Sequence, residues 1–200
     1  MKGRESGMPE EKYWASFFDV DCILTKLQCT LLGTETIVEF GSGYGTFTLP
    51  AAKQTTGEVI SFDIEPEMVQ TVQNKAAAEG LTNIQASVRD FLDEGSGLSH
   101  ASIDHVMIYN LLHIEKSIDL LVEAHRILKP NGMLSIIHWN HDPDTPRGPP
   151  MNIRPRPEDC IELAQRAGFS LVRQPDLSQC AEHHYGITFK IRHKNLEMNL

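Results

Sequence analysis

Short apolar runs alternate with longer segments of helical spacing through the middle of the chain. The runs have the length and β-branched composition of strands, and three of them are apolar almost throughout. They are residues 36–40, 58–63, 83–88, 104–110 and 133–139. The helical segments between them include residues 65–79 and 115–128, which end at Gly80 and before Pro130. This alternation predicts βαβ units in a parallel sheet with helices on both faces.

The N-terminal end of the chain departs from this alternation. Residues 1 to about 10 are polar and predict a loose tail. Aromatic and aliphatic residues then recur at helical spacing as far as Cys29, and Asp19 or Asp21 is placed to cap a second helix. We therefore divide the chain into residues 1–33, a tail with capping helices, and residues 34–200, the main domain.

A loop and a small group of elements follow the fifth strand. Residues 140–157 contain six prolines and little apolar material, and a loop of that length inside a compact domain usually has a function. A helix over residues 157–167 and strands near 169–173 and 185–192 complete the chain. The predicted fold class is α/β, with a seven-stranded, mostly parallel sheet, helices on both faces and an antiparallel C-terminal strand.

Charge and hydropathy narrow the range of partners. The 200 residues carry a formal net charge of −9 at pH 7, which repels nucleic-acid phosphates and anionic membranes. The longest apolar stretches are too short to cross a bilayer, and the first residues lack the apolar region of a secretory signal. We therefore expect a cytoplasmic protein with neither nucleic acid nor membrane as a partner. The sequence predicts no particular oligomeric state.

The spacing of cysteines and histidines gives no metal-binding pattern. The four cysteines form no C-x-x-C pair and no H-E-x-x-H motif occurs, so we predict no metal site. Free thiols are expected at all four positions, although two disulfides would be possible in principle. These positions are Cys22, Cys29, Cys160 and Cys180.

A glycine-rich loop, Gly41-Ser42-Gly43-Tyr44-Gly45, directly follows the first strand and precedes a helix. Glycines let a ligand lie against bare backbone, and the helix that follows offers unpaired N–H groups. The spacing differs from the dinucleotide fingerprint, because Thr46 stands where its third glycine would be. Glu39 lies two positions before the first glycine, where a carboxylate suits a cationic group better than a pyrophosphate.

Four further segments accompany this loop in order along the chain. They are SFDIEPEM at the second strand, VRDF after the third, DHVMIYNLLHI at the fourth and HRILKPNGML before the fifth. Together with VEFGSGYG, they make residues 34–140 resemble the class I S-adenosylmethionine-dependent methyltransferases, of the small-molecule type related to the ubiquinone and menaquinone biosynthesis methyltransferases. The resemblance implies a Rossmann-like fold, S-adenosylmethionine (SAM) as the cofactor and a SAM-binding domain over residues 34–200.

The resemblance also implies roles for particular residues. The glycines would line the methionine part of SAM, with the Glu39 carboxylate near its ammonium group. Asp63 would accept hydrogen bonds from both ribose hydroxyls, and Asp90 would accept one from the adenine amino group. The implied cofactor-binding residues are Glu39, Gly41, Ser42, Gly43, Tyr44, Gly45, Asp63, Ile64, Met68, Asp90, Phe91, Asn110 and Leu111. Three of them have structural alternatives: Asp63 and Asp90 are also suited to capping a helix, and Met68 to packing in the core.

Two histidines are candidates for catalysis. Methyl transfer from a sulfonium needs alignment and exclusion of water, but an acceptor that must lose a proton also needs a base. His113 follows the fourth predicted strand and His138 ends the fifth, and histidine is the usual base near neutral pH. The structural alternatives are a loop-bracing role for His113 and a hydrogen-bonded core position for His138.

Residues near the expected rim of the site are candidates for holding the substrate. Trp14 and Trp139 would wall a pocket, and Arg147 would hold an anionic group. Arg154 and Arg156 belong to the same proline-rich segment, and all three arginines are equally compatible with a solvated surface. The aromatic residues around Trp14 would form either a lid over the pocket or a packed edge of the core.

The predicted function is transfer of a methyl group from SAM to a small-molecule acceptor by in-line displacement. The fourth strand lacks the [DNS]-P-P-[YFW] ending typical of enzymes that methylate base amino groups, and no Pro-Cys dipeptide occurs. Alternatives are a non-catalytic SAM-binding module and methylation of a protein or RNA group with the help of a partner. A nicotinamide-dependent oxidoreductase is disfavoured by the glycine spacing.

Overall fold

The computed structural model describes residues 8–29 and 32–192. The strands in this part of the chain are β1 (Ile37–Phe40), β2 (Val59–Asp63), β3 (Ile84–Val88), β4 (Ile103–Tyr109), β5 (Leu128–Trp139), β6 (Phe169–Arg173) and β7 (His184–Ile191). The helices are α1 (Glu11–Ala15), α2 (Val20–Lys26), α3 (Thr48–Gln54), α4 (Pro66–Ala78), α5 (Ser117–Ile127) and α6 (Pro157–Arg166). The predicted N-terminal tail lies mostly outside the described residues.

The strands form one sheet in the order β3-β2-β1-β4-β5-β7-β6. The pairs β1–β2, β1–β4, β2–β3 and β4–β5 are parallel. β7 runs antiparallel to both β5 and β6. The prediction of a mostly parallel seven-stranded sheet with an antiparallel C-terminal strand is confirmed.

Alternate residues of the central strands point into two separate cores, as the period of a strand requires. In β4, Val106 and Ile108 pack in a core that includes buried residues of α5 and α6. Met107 and Tyr109 face the opposite side, in a core that includes residues of α2 and α3. Helices therefore cover both faces of the sheet, which is why these strands are apolar almost throughout.

Helix α2 begins where the sequence predicts. The Asp19 carboxylate accepts a hydrogen bond from the Cys22 backbone N–H at 3.1 Å and so caps the helix. Ile23 and Leu24 of α2 are fully buried in the same core as Ile37 of β1. The N-terminal helices thus pack on the sheet, and the division of the chain at residue 33 stays a prediction.

Strand β5 begins earlier than predicted, at Leu128 instead of Met133. Leu128 pairs with Ile103, and the register shifts before Met133 pairs with His105. The residues between the predicted helix and the predicted fifth strand are therefore an irregular first part of β5. The segment after β5 has no helix or strand before α6, in agreement with the predicted long loop.

The expectation of four free thiols is wrong for one pair. Cys22 at the start of α2 and Cys180 in the β6–β7 connection form a disulfide, whereas Cys29 and Cys160 are free and buried. The two bonded cysteines are 158 positions apart, so sequence spacing gives no sign of the pairing. The chain brings them together partly through a 2.7 Å hydrogen bond from the Asp19 N–H to the Cys180 carbonyl.

Within residues 8–29 and 32–192, no helix combines the length and the apolar character that crossing a bilayer requires.

Candidate active site

A cavity of about 620 Å³ lies at the carboxyl ends of the parallel strands. It is centred where β1 and β4 are neighbours and the strand order reverses, which is the usual ligand position in open α/β sheets. Over the ends of β1, β2 and β3, the cavity is lined by what we term the glycine half: Gly41, Ser42, Gly43, Asp63, Met68 and Asp90. Over the ends of β4 and β5 lies the aromatic half: Trp14, Phe47, Tyr109, His113, Trp139 and residues 147–150.

The glycine loop is held in place by β2. The backbone N–H groups of Gly41 and Ser42 donate to the Phe62 carbonyl at 2.8 and 3.0 Å. Gly41 and Gly43 have φ angles of +77° and +50°, a conformation in which other residues are strained. A side chain at Gly41 would also point at Leu111, whose Cδ2 lies 3.5 Å from the position of a Cβ. The loop therefore presents bare backbone to the cavity.

Asp63, at the end of β2, fixes two turns at once. Its Oδ2 accepts a hydrogen bond from the Gly43 N–H at 2.8 Å, and its Oδ1 accepts one from the Glu65 N–H at 3.0 Å. Glu65, not Asp63, is the N-cap of α4. Each carboxylate oxygen has a second lone pair, so Asp63 can still accept two hydroxyl donors from the cavity.

Glu39 is a buried carboxyl group with 1% of its surface exposed. Burial raises the pKa of Glu39 to about 8, against the opposing effect of a hydrogen bond that the Thr48 hydroxyl donates to Oε2. Glu39 is therefore mostly protonated at pH 7 when no cation is nearby. A cationic group in the cavity would favour the ionised form.

Asp90 and Met68 line the cavity at the end of β3 and on α4. Asp90 also holds its own turn, because Oδ1 accepts a long hydrogen bond of 3.3 Å from the Asp93 N–H. Both interpretations of Asp90 are thus compatible with the geometry. Met68 faces the cavity, while the neighbouring Val69 and Val72 are among the buried residues of this helix.

Two residues of the loop motif do not line the cavity. The Tyr44 hydroxyl donates to the Pro9 carbonyl at 2.9 Å, so its side chain faces the N-terminal segment. Gly45 faces the packing between α3 and α4, where a Cβ would lie 2.5 Å from Leu49 Cδ1. Both residues shape the loop without lining the cavity. Tertiary packing decides which residues of the motif line the cavity, and the motif alone does not.

The end of β4 carries a strained asparagine. Asn110 lines the cavity with a φ of +54°, an uncommon conformation for a residue other than glycine that often marks a functional site. Its carboxamide Nδ2 and Oδ1 are buried and have no hydrogen-bond partner in the described part of the chain. Ser42 Oγ, also on the cavity wall, is likewise buried and has no hydrogen-bond partner in the described part of the chain. Unpaired buried polar atoms at a cavity wall are suited to a bound ligand.

Aromatic rings wall the second half of the cavity. Trp14 of α1 lies against Trp139 at the end of β5, with ring centroids 6.2 Å apart, and Phe17 packs on the same Trp139 ring at 5.2 Å. Phe18 packs on the Phe47 ring. The N-terminal aromatics therefore act both as a wall of the cavity, through Trp14, and as a packed edge, through Phe17 and Phe18.

The proline-rich loop over residues 140–156 is organised by Arg154, of which 8% is exposed. Its guanidinium donates to the carbonyl oxygens of Asn140, Asp142 and Pro149 and to the Thr145 hydroxyl. The sequence left Arg154 open as a residue that holds an anionic substrate or as part of a solvated surface, whereas in the structure its donors are directed into the loop. Arg147 does line the cavity, as predicted.

The two candidate histidines are in contact with each other. His113 lines the cavity, and its Nδ1 lies 3.2 Å from His138 Nε2. His138 is fully buried behind it and does not line the cavity, so it is not a residue that an acceptor can touch. Burial lowers the pKa of His113 to about 4 and that of His138 well below its ordinary value, so both rings are neutral at pH 7.

Sequence reasoning missed several lining residues. Phe47 follows the glycine loop closely and Tyr109 immediately precedes Asn110, so proximity to a motif was the one available signal for both. Arg89 also lines the cavity and stands within the VRDF segment, whereas no sequence signal indicated Met8 and Lys116. No group of three or more His, Cys, Asp or Glu side chains in the described residues is arranged to hold a metal ion.

The residues present fit SAM. The glycine half combines bare backbone and Asp63, which suit the methionine part and a ribose, with Asp90 as an acceptor for an amino group. The buried Glu39 is a partner for an ammonium group, and the orphaned Ser42 and Asn110 atoms offer further hydrogen bonds. The cavity volume lies within the range of small-molecule and cofactor sites.

Comparison with known proteins gives a family match over the part of the chain that runs from β1 into β5. Residues 37–132 match the methyltransferase-domain family. An uncharacterised methyltransferase-like protein of Schizosaccharomyces pombe is 30% identical over 112 residues, which are 56% of this chain and 41% of that protein. The human EEF1A lysine methyltransferase 2 is 29% identical over 111 residues, covering 52% of this chain and 47% of that protein. The chain thus spans about half or less of the length of these two relatives.

A solved structure extends the likeness to almost the whole chain. The SAM-dependent methyltransferase from Aquifex aeolicus superposes with a TM-score of 0.78 at 21% identity, covering 91% of this chain and 94% of that one. This similarity concerns the fold.

Proposed function

We propose that the chain is a class I SAM-dependent methyltransferase and that it transfers a methyl group to a small-molecule acceptor by in-line displacement. The shape of the cavity is the observation that supports a small molecule as the methyl acceptor. One continuous space of about 620 Å³ leads from the glycine loop into an aromatic half that is walled by α1 and residues 147–150. A walled pocket suits a small acceptor better than a folded protein surface.

The glycine half would hold the cofactor. Backbone at Gly41 and Gly43 would lie against its methionine part, and Glu39 would pair with the ammonium group. Asp63 would accept the ribose hydroxyls while keeping its two bonds to the loop, and Asp90 would accept the adenine amino group. The apolar side chains placed to flank the adenine are Ile64, Met68 and Phe91.

The aromatic half would hold the acceptor and exclude water. When bound, SAM supplies a methyl carbon activated by its sulfonium, and the acceptor's electron pair forms the new bond as the carbon–sulfur bond breaks and the pair stays on sulfur. The chain's part is alignment, which accounts for roughly 7–11 kcal/mol of barrier in well-oriented reactions. Trp14 and Trp139 would fix the acceptor, and Arg147 would interact with an anionic group on it. Asn110 lies at the junction of the two halves, where the methyl group would pass.

A protein acceptor is the second candidate, because the human relative is a lysine methyltransferase by name. Such an acceptor would have to place one side chain between α1 and residues 147–150, with recognition supplied by a partner. A non-catalytic SAM-binding module is the remaining alternative. The cytoplasmic location also stays a proposal, and the Cys22–Cys180 disulfide is an observation against it, because disulfides are rare in that compartment.

Two measurements, made one after the other, test the proposal. Calorimetry should show micromolar binding of S-adenosylhomocysteine (SAH) and no comparable binding of NADH; binding of NADH alone would contradict the proposal. Incubation with methyl-labelled SAM and a panel of small thiols, phenols and amines should then label at least one of them. Labelling of proteins in a cell extract, with none of the small acceptors labelled, would favour the protein acceptor instead. SAH binding with no labelling in either experiment would favour the binding module.

A further inference from the structure

We propose that Tyr44 and Lys75 are positioning residues that hold α1 on the glycine loop, and that α1 in this position raises the affinity for the cofactor and for the acceptor together. Neither residue lines the cavity, so both would act through α1, which carries Trp14. The inference rests on the proposed function and adds to it two residues outside the cavity that determine how tightly the acceptor binds.

Helix α1 depends on its contacts with the rest of the chain. It has five residues, and a helix of that length is unstable in water on its own. Trp14 is its one buried residue, while Glu11 is part-exposed and Tyr13 is exposed. The residues that α1 contacts at its two ends therefore determine where Trp14 lies.

The side chains of Tyr44 and Lys75 attach the N-terminal end of this segment to the glycine loop. The Tyr44 hydroxyl donates to the Pro9 carbonyl at 2.9 Å. The Lys75 ammonium group donates to the Tyr44 carbonyl at 2.8 Å and forms an ion pair with the Glu11 carboxylate. Lys75 Nζ also lies 5.9 Å from the centroid of the Tyr44 ring, within the range of a cation–π interaction.

The other end of the segment is attached to the aromatic half. The Trp14 and Trp139 ring centroids are 6.2 Å apart, and the Phe17 ring packs on Trp139 at 5.2 Å. Trp14 also packs on Phe18 at 5.0 Å. The segment thus runs from the loop that would hold the cofactor to the rings that would hold the acceptor.

Both ligands would gain contacts when α1 is in this position. Met8 and Pro9 line the cavity at the cofactor end, where the Met8 methyl carbon lies 3.2 Å from the position of a Cβ on Gly43. Trp14 lines the cavity at the acceptor end. A ligand that favours one position of a segment shifts the population toward it, and a second ligand that favours the same position then binds more tightly. Such coupling typically changes each affinity by the same factor, roughly 5- to 150-fold.

Tyr44 has the larger part in this attachment. The side chains of the Lys75–Glu11 ion pair are 31% and 46% exposed, and exposed ion pairs contribute little by themselves. The hydrogen bond from Tyr44 to Pro9 is part-buried. Because the Tyr44 backbone belongs to the glycine loop, a change in the position of the loop also moves the hydroxyl that holds Pro9.

The first test follows α1 and needs no acceptor. The amides of Trp14, Phe17 and Phe18 donate to carbonyls within this segment, so their hydrogen exchange reports whether it is in place. Mass spectrometry should show that saturating SAH slows this exchange at least threefold. Equal exchange with and without SAH would overturn the inference, while failure of SAH to bind in calorimetry would overturn the proposed function.

Two variants weaken the attachment without altering the cavity wall. Tyr44→Phe keeps the ring and loses the hydroxyl, and Lys75→Met keeps the apolar stem and loses the charge. Each should speed exchange at α1 at least twofold in the protein without SAH, and Lys75→Arg should restore the slower exchange. Lys53→Met, which breaks the ion pair of Lys53 with Glu79, is the matched control and should leave α1 unchanged. Unchanged exchange in both Tyr44→Phe and Lys75→Met would overturn the inference.

The second test measures methyl transfer to the fastest acceptor of the panel of small thiols, phenols and amines. Tyr44→Phe should raise the KM for this acceptor about three- to tenfold, as the loss of one hydrogen bond predicts, and kcat should stay within twofold. This division is expected because the variant changes how often α1 is in place and not the alignment once it is there. A weaker SAH affinity with an unchanged acceptor KM would assign Tyr44 to the loop alone and overturn the inference. Tyr13→Phe, at an exposed position of α1, is the control.

Discussion

The two halves of the cavity are built in different ways. The glycine half is made by strand ends and the turns next to them: Gly41 and Ser42 bond to the end of β2, and Asp63 bonds to Gly43 and Glu65. The aromatic half is made by segments that are distant in the chain, namely α1, Phe47, the end of β4 with the turn after it, and the end of β5 with the loop after it. Ring packing on Trp139 joins α1 to the end of β5, and the hydrogen bonds of Arg154 hold the 140–156 loop in its own shape.

This difference shows where local sequence carries information about a site. Backbone turns at strand ends need glycines and a carboxylate at fixed spacing, so the glycine half appears in the sequence as a motif. The aromatic half depends on contacts between segments, and any bulky ring or buried donor that fits would serve. We therefore expect cofactor specificity to depend on the geometry of these turns, and acceptor specificity to depend on tertiary packing.

The largest effect should come from Arg154→Met, which removes the donors that hold the 140–156 loop. Each lost hydrogen bond accounts for about 0.5–1.5 kcal/mol, so methyl transfer to an acceptor should fall 100- to 1,000-fold. SAH affinity should change less than twofold, because the glycine half makes no contact with this arginine. Kinetics and calorimetry on the same preparation measure the two quantities. Arg156→Met, at an exposed position of the same loop, is the control and should change neither.

The next effect concerns the disulfide that ties α2 to the β6–β7 connection. Replacing Cys22 and Cys180 together by serine should lower the free energy of unfolding by about 2–4 kcal/mol, the contribution that a disulfide typically makes. Urea denaturation should show this loss, and the stability of the double variant should no longer respond to dithiothreitol. SAH affinity should stay within twofold. A stability of the native protein that is insensitive to reduction would contradict the presence of the bond.

Asp63→Ala should impair cofactor binding by the glycine half and leave the aromatic half of the cavity unchanged. It removes two hydrogen bonds within the loop and the acceptor for the ribose, and bonds to charged groups are worth about 1.5–3 kcal/mol, so SAH affinity should fall 10- to 100-fold. Calorimetry measures the change. Glu67→Ala removes an exposed carboxylate from the first turn of α4 and serves as the control. An unchanged affinity would assign Asp63 to the turn only.

The smallest effect is a pH dependence of binding that arises from Glu39. Its pKa is raised to about 8 by burial, so the free protein holds this proton at pH 7, and pairing with the ammonium group of SAH should release it. Affinity should therefore rise about 10-fold from pH 6 to pH 7.5, and calorimetry in two buffers should detect close to one proton released at pH 7. Glu39→Gln should flatten this profile. A profile that falls over the same range would contradict the assignment.

Prediction from sequence succeeded where neighbours in the chain determine the structure. The order of strands and helices, the cap at Asp19 and the positions of Gly41 and Asp63 all follow from short-range patterns. The inward direction of Arg154 and the bond between Cys22 and Cys180 could not be predicted, because each depends on segments that only folding brings together. The same holds within the glycine motif, where packing against Leu49 turns Gly45 away from the cavity while Gly43 faces it.

The Cys22–Cys180 disulfide has a topological consequence. It closes the chain into a covalent ring whose ends are separated by 158 positions, and this ring contains the glycine half of the cavity and all of the aromatic half except Trp14. A protease that cuts once in the exposed part of the 140–156 loop would therefore leave two fragments that remain joined. The nicked protein would run as a single species until a reductant is added, and it would keep the acceptor walls close to the cofactor site after the peptide bond is lost.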